Sequence, residues 1–160
     1  MPGHTENSIV VLRDVDTVFD LTNDIALWTE LFTEYEESEV IERHGDTVVF
    51  RLKTFADNDR PSRQWTSRRR IDKAGLRADA ERLTPTFPFA FMKIRWTYEV
   101  LPRDVGVVMT WIQDFEVHPD CPFSNEQMES FLNRNTRLQM RSVKERVEAW
   151  QTSRESAACP

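Results

Sequence analysis

Glycine, cysteine and histidine are scarce in this chain, and each scarcity excludes a class of site. Only four of the 160 residues are glycine, which excludes a Gly-rich loop for cradling phosphate groups. The two cysteines, Cys121 and Cys159, provide no disulfide framework and indicate a reducing compartment. The three histidines fall in a predicted terminus, turn and loop without metal-ligand spacing, so we expect no metal site.

Long apolar runs are also missing. No segment approaches the roughly 20 apolar residues that a membrane span needs, and residues 1–7 lack the apolar core of a signal peptide. The formal net charge of −6 argues against general binding to nucleic acid or anionic membrane. We therefore expect a cytoplasmic protein with no nucleic-acid or membrane partner. Its length predicts a single domain over residues 1–150 and a flexible C-terminal tail at 151–160.

Large aromatic residues are what the chain has in abundance. Five tryptophans and ten phenylalanines accompany the few glycines, a composition that suits a rigid wall. Alternation of apolar and polar residues predicts one strand, then two short helices, then six more strands. The predicted strands are residues 5–13, 37–43, 47–55, 63–71, 76–83, 91–100 and 107–117. Residues 84–90, with two prolines and two phenylalanines, predict an ordered apolar loop.

Helix signals frame the run of strands. Asp14 is the predicted N-cap of the first short helix, and the next one shows the spacing of a single apolar face. That face consists of Ile25, Trp28, Leu31 and Phe32. Ser124 with Gln127 forms a capping-box pattern that starts a final helix reaching about residue 150. The expected apolar stripe of this helix is Met128, Phe131, Leu132, Leu138, Val143, Val147 and Trp150.

This order of elements predicts an α+β fold. A seven-stranded, curved antiparallel sheet surrounds the long C-terminal helix, and its outer face is polar. A strongly bent sheet gripped by one helix leaves a cavity between the two. The two short helices are expected to close one end of that cavity.

The segment from residue 63 to residue 71 carries the most informative pattern. As a strand, it places Trp65, Ser67 and Arg69 on one face. If this face points inward, a guanidinium is buried and needs an anionic or strongly polar partner. The alternative is a surface strand with solvated arginines and one packed tryptophan, and the segment alone leaves both open.

The neighbouring elements favour the inward alternative. Their inward positions add further polar groups to the aromatic ones. These positions are Met92, Ile94, Trp96, Tyr98, Met109, Trp111 and Gln113 on strands, with Asn135 or Gln139 on the final helix. An unpaired buried polar group costs roughly 1–3 kcal/mol, whereas ligand pockets combine apolar walls with a few polar groups. Together the positions favour a pocket, although each tryptophan alone is compatible with simple core packing.

The other charged and reactive residues have simpler interpretations. The carboxylates fall mostly at turns and outward positions, where we expect them to be solvated. Arg60, Arg63, Arg68 and Arg70 are predicted to face outward, as solubilising residues or toward an acidic partner. Cys121 has no evident partner, and we expect its role to be structural or incidental.

Several strings in the sequence are long enough to be specific. They are Asn7-Ser-Ile-Val-Val, Thr22-Asn-Asp-Ile with Trp28, Glu30-Leu-Phe-Thr-Glu-Tyr35, Gly45-Asp46, Phe50-Arg-Leu-Lys-Thr, Trp65-Thr-Ser-Arg-Arg69, Pro88-Phe-Ala-Phe-Met92, Trp96-Thr-Tyr, Trp111-Ile-Gln-Asp-Phe115 and Pro122-Phe. Together they resemble the aromatase/cyclases of bacterial type II polyketide synthases. The resemblance covers roughly residues 4–148 and is strongest for the tetracenomycin and spore-pigment single-domain enzymes.

The resemblance implies a helix-grip fold of the START/Bet v 1-like superfamily with an interior pocket. It also implies an enzyme of antibiotic biosynthesis that works beside the minimal type II polyketide synthase. The implied substrate is a linear poly-β-ketone carried on an acyl carrier protein. The implied activity is regiospecific aldol closure of the first ring, usually between the ninth and fourteenth carbons, followed by dehydration to an aromatic ring. No metal or organic cofactor is implied.

Site residues follow from the same resemblance. It implies catalytic roles for Arg69, Tyr35 and Ser67. The implied substrate-binding residues are Trp28, Phe32, Trp65, Phe89, Met92, Trp96, Trp111, Gln113, Asn135 and Gln139. Two departures accompany the match: the tetracenomycin-type enzyme has asparagine where Gln139 aligns, and the loop before Phe89 is one residue longer here.

Two other classes of protein remain open at this point. A non-enzymatic helix-grip carrier would bind a lipid, quinone or polyketide and use Arg69 as an anchor. An interaction module without a pocket would pack Trp65 and Trp96 in a solid core. Turnover separates the enzyme from the carrier, and a cavity separates both from the interaction module.

Overall fold

One antiparallel sheet forms most of the protein. The computed structural model describes residues 2–57 and 60–151, so most of the predicted tail and part of the segment between the predicted strands 47–55 and 63–71 lie outside the described residues. The strands are β1 (Gly3–Val11), β2 (Tyr35–His44), β3 (Thr47–Thr54), β4 (Gln64–Asp72), β5 (Arg77–Arg82), β6 (Phe89–Val100) and β7 (Val107–Val117). They are ordered β1-β7-β6-β5-β4-β3-β2, which leaves β1 and β2 at the edges. The predicted seven-stranded antiparallel sheet is confirmed.

The register of the sheet groups the inward residues into rows. Paired residues of antiparallel strands point to the same face, so a large side chain is accommodated when its partner is small. Arg69 on β4 pairs with Ala80 on β5, and Trp96 on β6 pairs with Ala78. The two alanines leave room on the inner face for the guanidinium and the indole beside them.

The start of β6 differs from the prediction. The strand begins at Phe89 instead of residue 91, and its register with β7 shifts between Phe89 and Phe91. The carbonyl of Pro88 accepts a hydrogen bond from the His118 amide at 2.8 Å, and Phe89 then pairs with Val117. The bulge adds one residue, which breaks the period-two alternation of apolar and polar side chains. A prediction from alternation therefore misses the start of β6.

Two short helical segments follow β1. Helix α1 (Val15–Thr22) begins at the predicted N-cap, where the Asp14 carboxylate accepts from the Thr17 amide at 3.0 Å. The predicted second helix is divided into a 3₁₀ turn (Ile25–Leu27) and a single turn, α2 (Trp28–Leu31). It therefore ends one residue before Phe32, which has extended backbone angles.

The long helix α3 (Asn125–Ala149) has the predicted capping box at Ser124 and Gln127. Side chains of α3 bind both neighbouring elements: Lys144 donates to the Val10 carbonyl at 2.7 Å, and Ser142 donates to the Leu31 carbonyl at 2.9 Å. These bonds fix the helix against the edge strand β1 and against the end of α2.

The predicted stripe of α3 is right except at one turn. Met128, Leu132, Val143 and Val147 are buried, but Leu138 is 53% exposed. Met140 is buried in its place, because it lies three residues before Val143 and seven before Val147 on the same helical face. Leu138 lies on another side of α3.

Two apolar clusters form the core. The larger one joins α1, α2, α3 and the sheet, and it includes Trp28, Trp96 and Trp111. The smaller one gathers Phe89, Met92, Phe115, Met128 and Leu132. Members of both clusters face a shared hollow between the sheet and α3, so the core is divided by a cavity.

Candidate active site

The cavity between the sheet and α3 has a volume of about 1000 Å³ and opens to solvent. Residues of α2, the β3–β4 connection, the loop before β6, the inner sheet face and α3 all line it. Of the predicted site residues, those that line it are Trp28, Phe32, Tyr35, Trp65, Ser67, Arg69, Phe89, Trp96, Trp111, Gln113, Asn135 and Gln139. This volume is at the upper end of the range typical of small-molecule sites.

Met92 is the exception, and its predicted place in the wall is wrong. It is 1% exposed and packs within the smaller core cluster, beside Phe115 and Met128. Met92 points inward together with Ile94 and Trp96, but it pairs with Phe115 and is covered by the other side chains of this cluster. Met92 supports the cavity wall from the core.

Arg69 lies at the deep end of the cavity and is 1% exposed. Its Nε and Nη2 donate to one acceptor, Asn23 Oδ1, at 3.0 and 2.8 Å. The guanidinium carbon lies 4.1 Å from the ring centre of Trp96 and 5.4 Å from that of Trp28. Stacking on two indole faces stabilises a cation through the ring quadrupole, so the protein holds this charge with rings and an amide.

A small polar network holds Asn23 in place. Its Nδ2 donates to the Phe19 carbonyl at 2.9 Å and to the Tyr98 hydroxyl at 3.1 Å. Thr22 Oγ1 lies 2.7 Å from the same hydroxyl. The network lies at the C-terminal end of α1, so the position of the Arg69 guanidinium depends on the residues that end this helix.

Burial lowers the pKa of the Arg69 guanidinium to about 10, and the neighbouring Tyr98 hydroxyl partly opposes that change. Across residues 2–57 and 60–151, no carboxylate comes within ion-pair distance of Arg69. The group therefore stays charged near neutral pH without a protein anion. A buried cation of this kind is a strong site for developing negative charge on a ligand.

Stacked rings form the wall beside Arg69. The Trp96 and Trp111 rings are parallel within 5° at a centroid distance of 4.1 Å. Trp28 stacks on Trp96 at 5.6 Å, and Phe32 stacks on Trp111 at 5.6 Å. Flat ring faces at these spacings favour planar or extended apolar ligands. The buried Trp111 Nε1 has no hydrogen-bond partner among the described residues.

Tyr35 lies between the deep end and the mouth. Its ring contacts Trp28, Phe32 and Trp65 at 5.1–6.1 Å. The Glu34 carboxylate is an electrostatic neighbour of its hydroxyl. Burial and this carboxylate raise the pKa of Tyr35 well above its ordinary value, although Arg82 and Arg69 oppose the change. The hydroxyl therefore keeps its proton while lying in the field of both guanidinium groups.

A second arginine, Arg82, lies on the mouth side of the cavity. Its guanidinium stacks on Trp65 at 3.9 Å and lies 5.0 Å from Phe89. Burial lowers its pKa to about 10, and its Nε has no hydrogen-bond partner among the described residues. Ser67, which is 4% exposed, is its register partner on β4.

Glu34 is half-buried at the same side. Its carboxylate accepts a hydrogen bond from Asn135 Nδ2 at 3.0 Å. Lost hydration raises the pKa of Glu34, and the bond from Asn135, the neighbouring Tyr35 hydroxyl and the charges of Arg82 and Arg60 oppose that change. Asn135, predicted as a ligand contact, thus orients a carboxylate.

Gln113 and Gln139 line the cavity, and their side-chain amides are hydrogen-bonded to neighbouring residues. Gln113 Oε1 accepts from Thr5 at 2.8 Å and from Thr136 at 3.2 Å, which joins β7 to β1 and α3. Gln139 accepts from the Thr33 amide and donates to the Thr33 hydroxyl, both at 2.9 Å. Both side chains therefore hold the cavity walls together.

Sequence reasoning missed four residues of this site. Glu34 was included with the solvated carboxylates, and Asn23 was given no role. Tyr98 was placed inward without a role. Arg82 had a usable signal, because Ala78, Ala80 and Arg82 alternate with acidic residues along β5.

A shallower depression of about 530 Å³ lies on the outer face of the sheet. Its charged residues pair with one another: Arg68 with Glu81, and Arg95 with Asp79 at 2.7 Å. Exposed pairs of this kind are ordinary for a solvated sheet face. The inner cavity is the candidate site.

The fold and this cavity define a helix-grip domain of the START/Bet v 1-like class. The Zhui aromatase/cyclase from Streptomyces sp. R1128 has the same fold, with a TM-score of 0.82 at 19% identity over 92% of this chain and 94% of that one. The sequence matches the family described as "Polyketide cyclase / dehydrase and lipid transport" over residues 2–148. The chain belongs to this family.

Two relatives from Streptomyces carry the name polyketide cyclase. The one from Streptomyces cyaneus is 42% identical over 148 residues, which cover 92% of this chain and 95% of that protein. The one from Streptomyces halstedii is 46% identical over 112 residues, which cover 70% of this chain and all of that protein. The predicted resemblance to polyketide cyclases is confirmed.

None of the helices within the described residues is long and apolar enough to span a membrane.

Proposed function

We propose that this protein folds a linear poly-β-ketone, delivered on an acyl carrier protein, and catalyses the aldol closure and dehydration of its first aromatic ring. One observation carries the proposal: the Arg69 guanidinium is buried among indole rings at the end of a large cavity, and no carboxylate of the described residues forms an ion pair with it. Family membership and relatives named as polyketide cyclases support the reaction class.

The chemistry of ring closure suits the deep end of the cavity. An aldol step needs an enolate carbon near a ketone carbon, and negative charge develops on oxygen. Arg69 is placed to stabilise that oxygen, and in a water-poor cavity such stabilisation is a large part of catalysis. Poly-β-ketones also cyclise without an enzyme, so holding the chain in one fold against Trp28, Trp96 and Trp111 directs which carbons meet.

The remaining predicted residues take supporting roles in this proposal. Tyr35 exchanges hydrogen bonds with a substrate oxygen in the middle of the cavity. Ser67 orients a carbonyl or a water between Arg69 and Arg82. Phe32, Trp65 and Phe89 form apolar walls, and Gln113, Asn135 and Gln139 hold the walls at their spacing.

The mouth of the cavity suits a carrier protein that is acidic. Among the described residues, five of the arginines line the cavity and its mouth, against two of the acidic residues, in a chain of net charge −6. Exposed apolar side chains surround them, namely Phe55, Phe87, Phe123 and Leu138. Arg63 and Arg134 are exposed at this mouth and provide charge complementarity for docking.

Product analysis with a minimal type II polyketide synthase tests the function. Adding the protein should replace the mixture of spontaneous products by one first-ring regiochemistry. An unchanged mixture would reject the proposal. Replacing Arg63 and Arg134 by glutamate should weaken use of carrier-bound substrate while leaving binding of a small soluble ketide unchanged.

A non-enzymatic carrier is the second candidate. The family description includes lipid transport, and most of the cavity wall is apolar. A carrier would bind a hydrophobic ligand tightly and leave product regiochemistry as it is without protein. Turnover in the same reconstitution therefore separates the two candidates.

A further inference from the structure

The end of α1 holds two groups at the deep end of the cavity. Thr22 is the last residue of this helix, and Asn23 is its C-cap. The Thr22 carbonyl accepts a hydrogen bond from Trp28 Nε1 at 3.0 Å, and Asn23 Oδ1 accepts both bonds from Arg69. Asn23 is buried, so its bonds to the guanidinium are shielded from bulk water. Two consecutive residues thus place the cation and one of the indoles on which it stacks.

The hydrogen bonds around Asn23 determine which end of its amide meets Arg69. The Thr22 hydroxyl donates to a backbone carbonyl of α1 at 2.7 Å, so it can accept from the Tyr98 hydroxyl, which is 2.7 Å away. The Tyr98 oxygen is then free to accept from Asn23 Nδ2 at 3.1 Å, and the same Nδ2 donates to the Phe19 carbonyl at 2.9 Å. Because the nitrogen of the amide faces two acceptors, its oxygen faces Arg69.

The hydrogen-bond acceptor of Arg69 is therefore neutral, whereas a buried arginine is usually paired with an anion. Asp79 on β5 acts on Arg69 from a distance, but its oxygens lie 3.0 and 2.7 Å from Arg77 and Arg95. The other titratable groups that act on Arg69 are two hydroxyls, those of Tyr35 on β2 and Tyr98 on β6. Burial raises the pKa of both tyrosines, so they stay neutral. The charge of Arg69 is left for a ligand.

We propose that Asn23 is a positioning residue that keeps the charge of Arg69 available, so that the deep end of the cavity binds a β-diketone as its enolate. A guanidinium has more N–H donors than the bonds to Asn23 use. The two oxygens of a β-diketone enolate share one negative charge in one plane, as those of a carboxylate do, and planar donors suit them. The inference rests on the proposed function for its ligand class, because a poly-β-ketone is a chain of β-diketone units.

Benzoylacetone tests the inference without a synthase. It is a small β-diketone with a planar ring, and its neutral and enolate forms have different ultraviolet spectra. Bound to the wild-type protein at a fixed pH, it should lose its proton to the buffer more readily than in free solution. The ratio of enolate to neutral diketone should rise at least about tenfold, because the buried charge stabilises the anion. A ratio equal to that in buffer would overturn the inference.

Asn23→Asp is the decisive variant, because a carboxylate at this position would pair with Arg69 and compensate its charge. The enolate ratio should return to the value in buffer, and the rate of first-ring formation beside a minimal synthase should fall at least about tenfold. Gln64→Glu makes the same change from amide to carboxylate at an exposed position of β4, where Arg51 donates to it, and should match the wild type. Benzylacetone, which has one ketone and stays neutral, reports whether the cavity is intact.

Asn23→Ala separates the charge of Arg69 from its orientation. The variant removes the acceptor but adds no charge, so most of the rise in the enolate ratio should persist. We expect kcat for ring formation to fall more than KM rises, because the guanidinium is no longer held in one direction. If the enolate ratio in Asn23→Ala falls to the value in buffer while benzylacetone still binds, Asn23 only supports the fold and the inference is wrong. This comparison decides even if Asn23→Asp does not fold.

The inference and the proposed function fail in different assays. If benzoylacetone is bound as the enolate but the synthase products do not change, the proposed function is wrong and the deep end is an enolate-binding site of a carrier. If the protein directs the first ring while bound benzoylacetone stays neutral, the proposed function stands and the role given to Asn23 is wrong.

Discussion

The two ends of the cavity each hold a guanidinium, and the protein surrounds them differently. Arg69 at the deep end is bound through two donors by Asn23 and stacked on two indoles. Arg82 at the mouth is stacked on Trp65, and its Nε lacks a protein partner within the described residues. Glu34 lies near the mouth, whereas the hydrogen-bond acceptor of Arg69 at the deep end is the neutral amide of Asn23.

The difference separates two tasks. The hydrogen bonds to Asn23 fix the orientation of the Arg69 guanidinium, which suits contact with one oxygen atom of a bound chain. Within the described residues the outer guanidinium has ring contacts but no hydrogen bond to a protein acceptor, and ring contacts permit sliding. An outer group of this kind suits a flexible chain that must thread past it.

Removing the deep charge is expected to give the largest effect. Arg69→Ala should lower first-ring formation about 10²–10³-fold, because the developing enolate oxygen loses its main stabilising group. The measurement is product profile and rate beside a minimal synthase, with a thermal melt to check folding. Arg69→Lys keeps the charge without the two-donor fork and should recover little. If Arg69→Ala gave the wild-type product profile, the deep arginine would have no special role in ring closure.

Asn23→Ala tests how the deep end is held. It leaves two donors of a buried cation without their acceptor, so the free energy of unfolding should fall by about 2–3 kcal/mol. Urea unfolding measures the loss. Asn135→Ala removes one amide at the mouth and serves as the matched control, with a smaller loss. Equal losses in the two variants would mean that both ends are held alike.

Arg82→Ala should have a moderate effect, about tenfold on the rate, or ~1.4 kcal/mol. The contact is to a moving chain, so we expect a higher KM more than a lower kcat. Stability should fall less than in Asn23→Ala, because the variant loses ring contacts but leaves no buried donor without an acceptor. A loss of kcat as large as that of Arg69→Ala would assign the outer arginine to the chemistry.

Tyr98→Phe is expected to be the mildest change. It removes a hydroxyl that bonds to Thr22 and Asn23 but keeps the ring, so unfolding should lose about 1 kcal/mol. Product regiochemistry should persist, because Asn23 still holds Arg69. A shift to spontaneous products would show that the hydroxyl itself sets the direction of the guanidinium.

The sequence predicted the sheet and the place of Arg69 because both depend on local alternation. Strand β4 puts Trp65, Ser67 and Arg69 on one face whatever surrounds it, and the neighbouring strands repeat the pattern. The resemblance to aromatase/cyclases then converted an inward arginine into a reaction class, which the pattern alone left open.

The rest depends on contacts that alternation does not reveal. Asn23 meets Arg69 across 46 residues, and Asn135 meets Glu34 across 101. Such pairs exist only once α1 and α3 are docked. Met92 and Leu138 differ from the prediction for a related reason, since the packing of α3 on the sheet decides which inward residues of β6 are covered and which side of α3 is buried.

Four of the five tryptophans line the cavity, and the fifth, Trp150, caps the end of α3. The light that this protein emits on ultraviolet excitation therefore originates almost wholly at one place. A ligand that enters this cavity changes the surroundings of most of the emitters at once. The tryptophan fluorescence of the cavity wall therefore reports ligand occupancy without an added label.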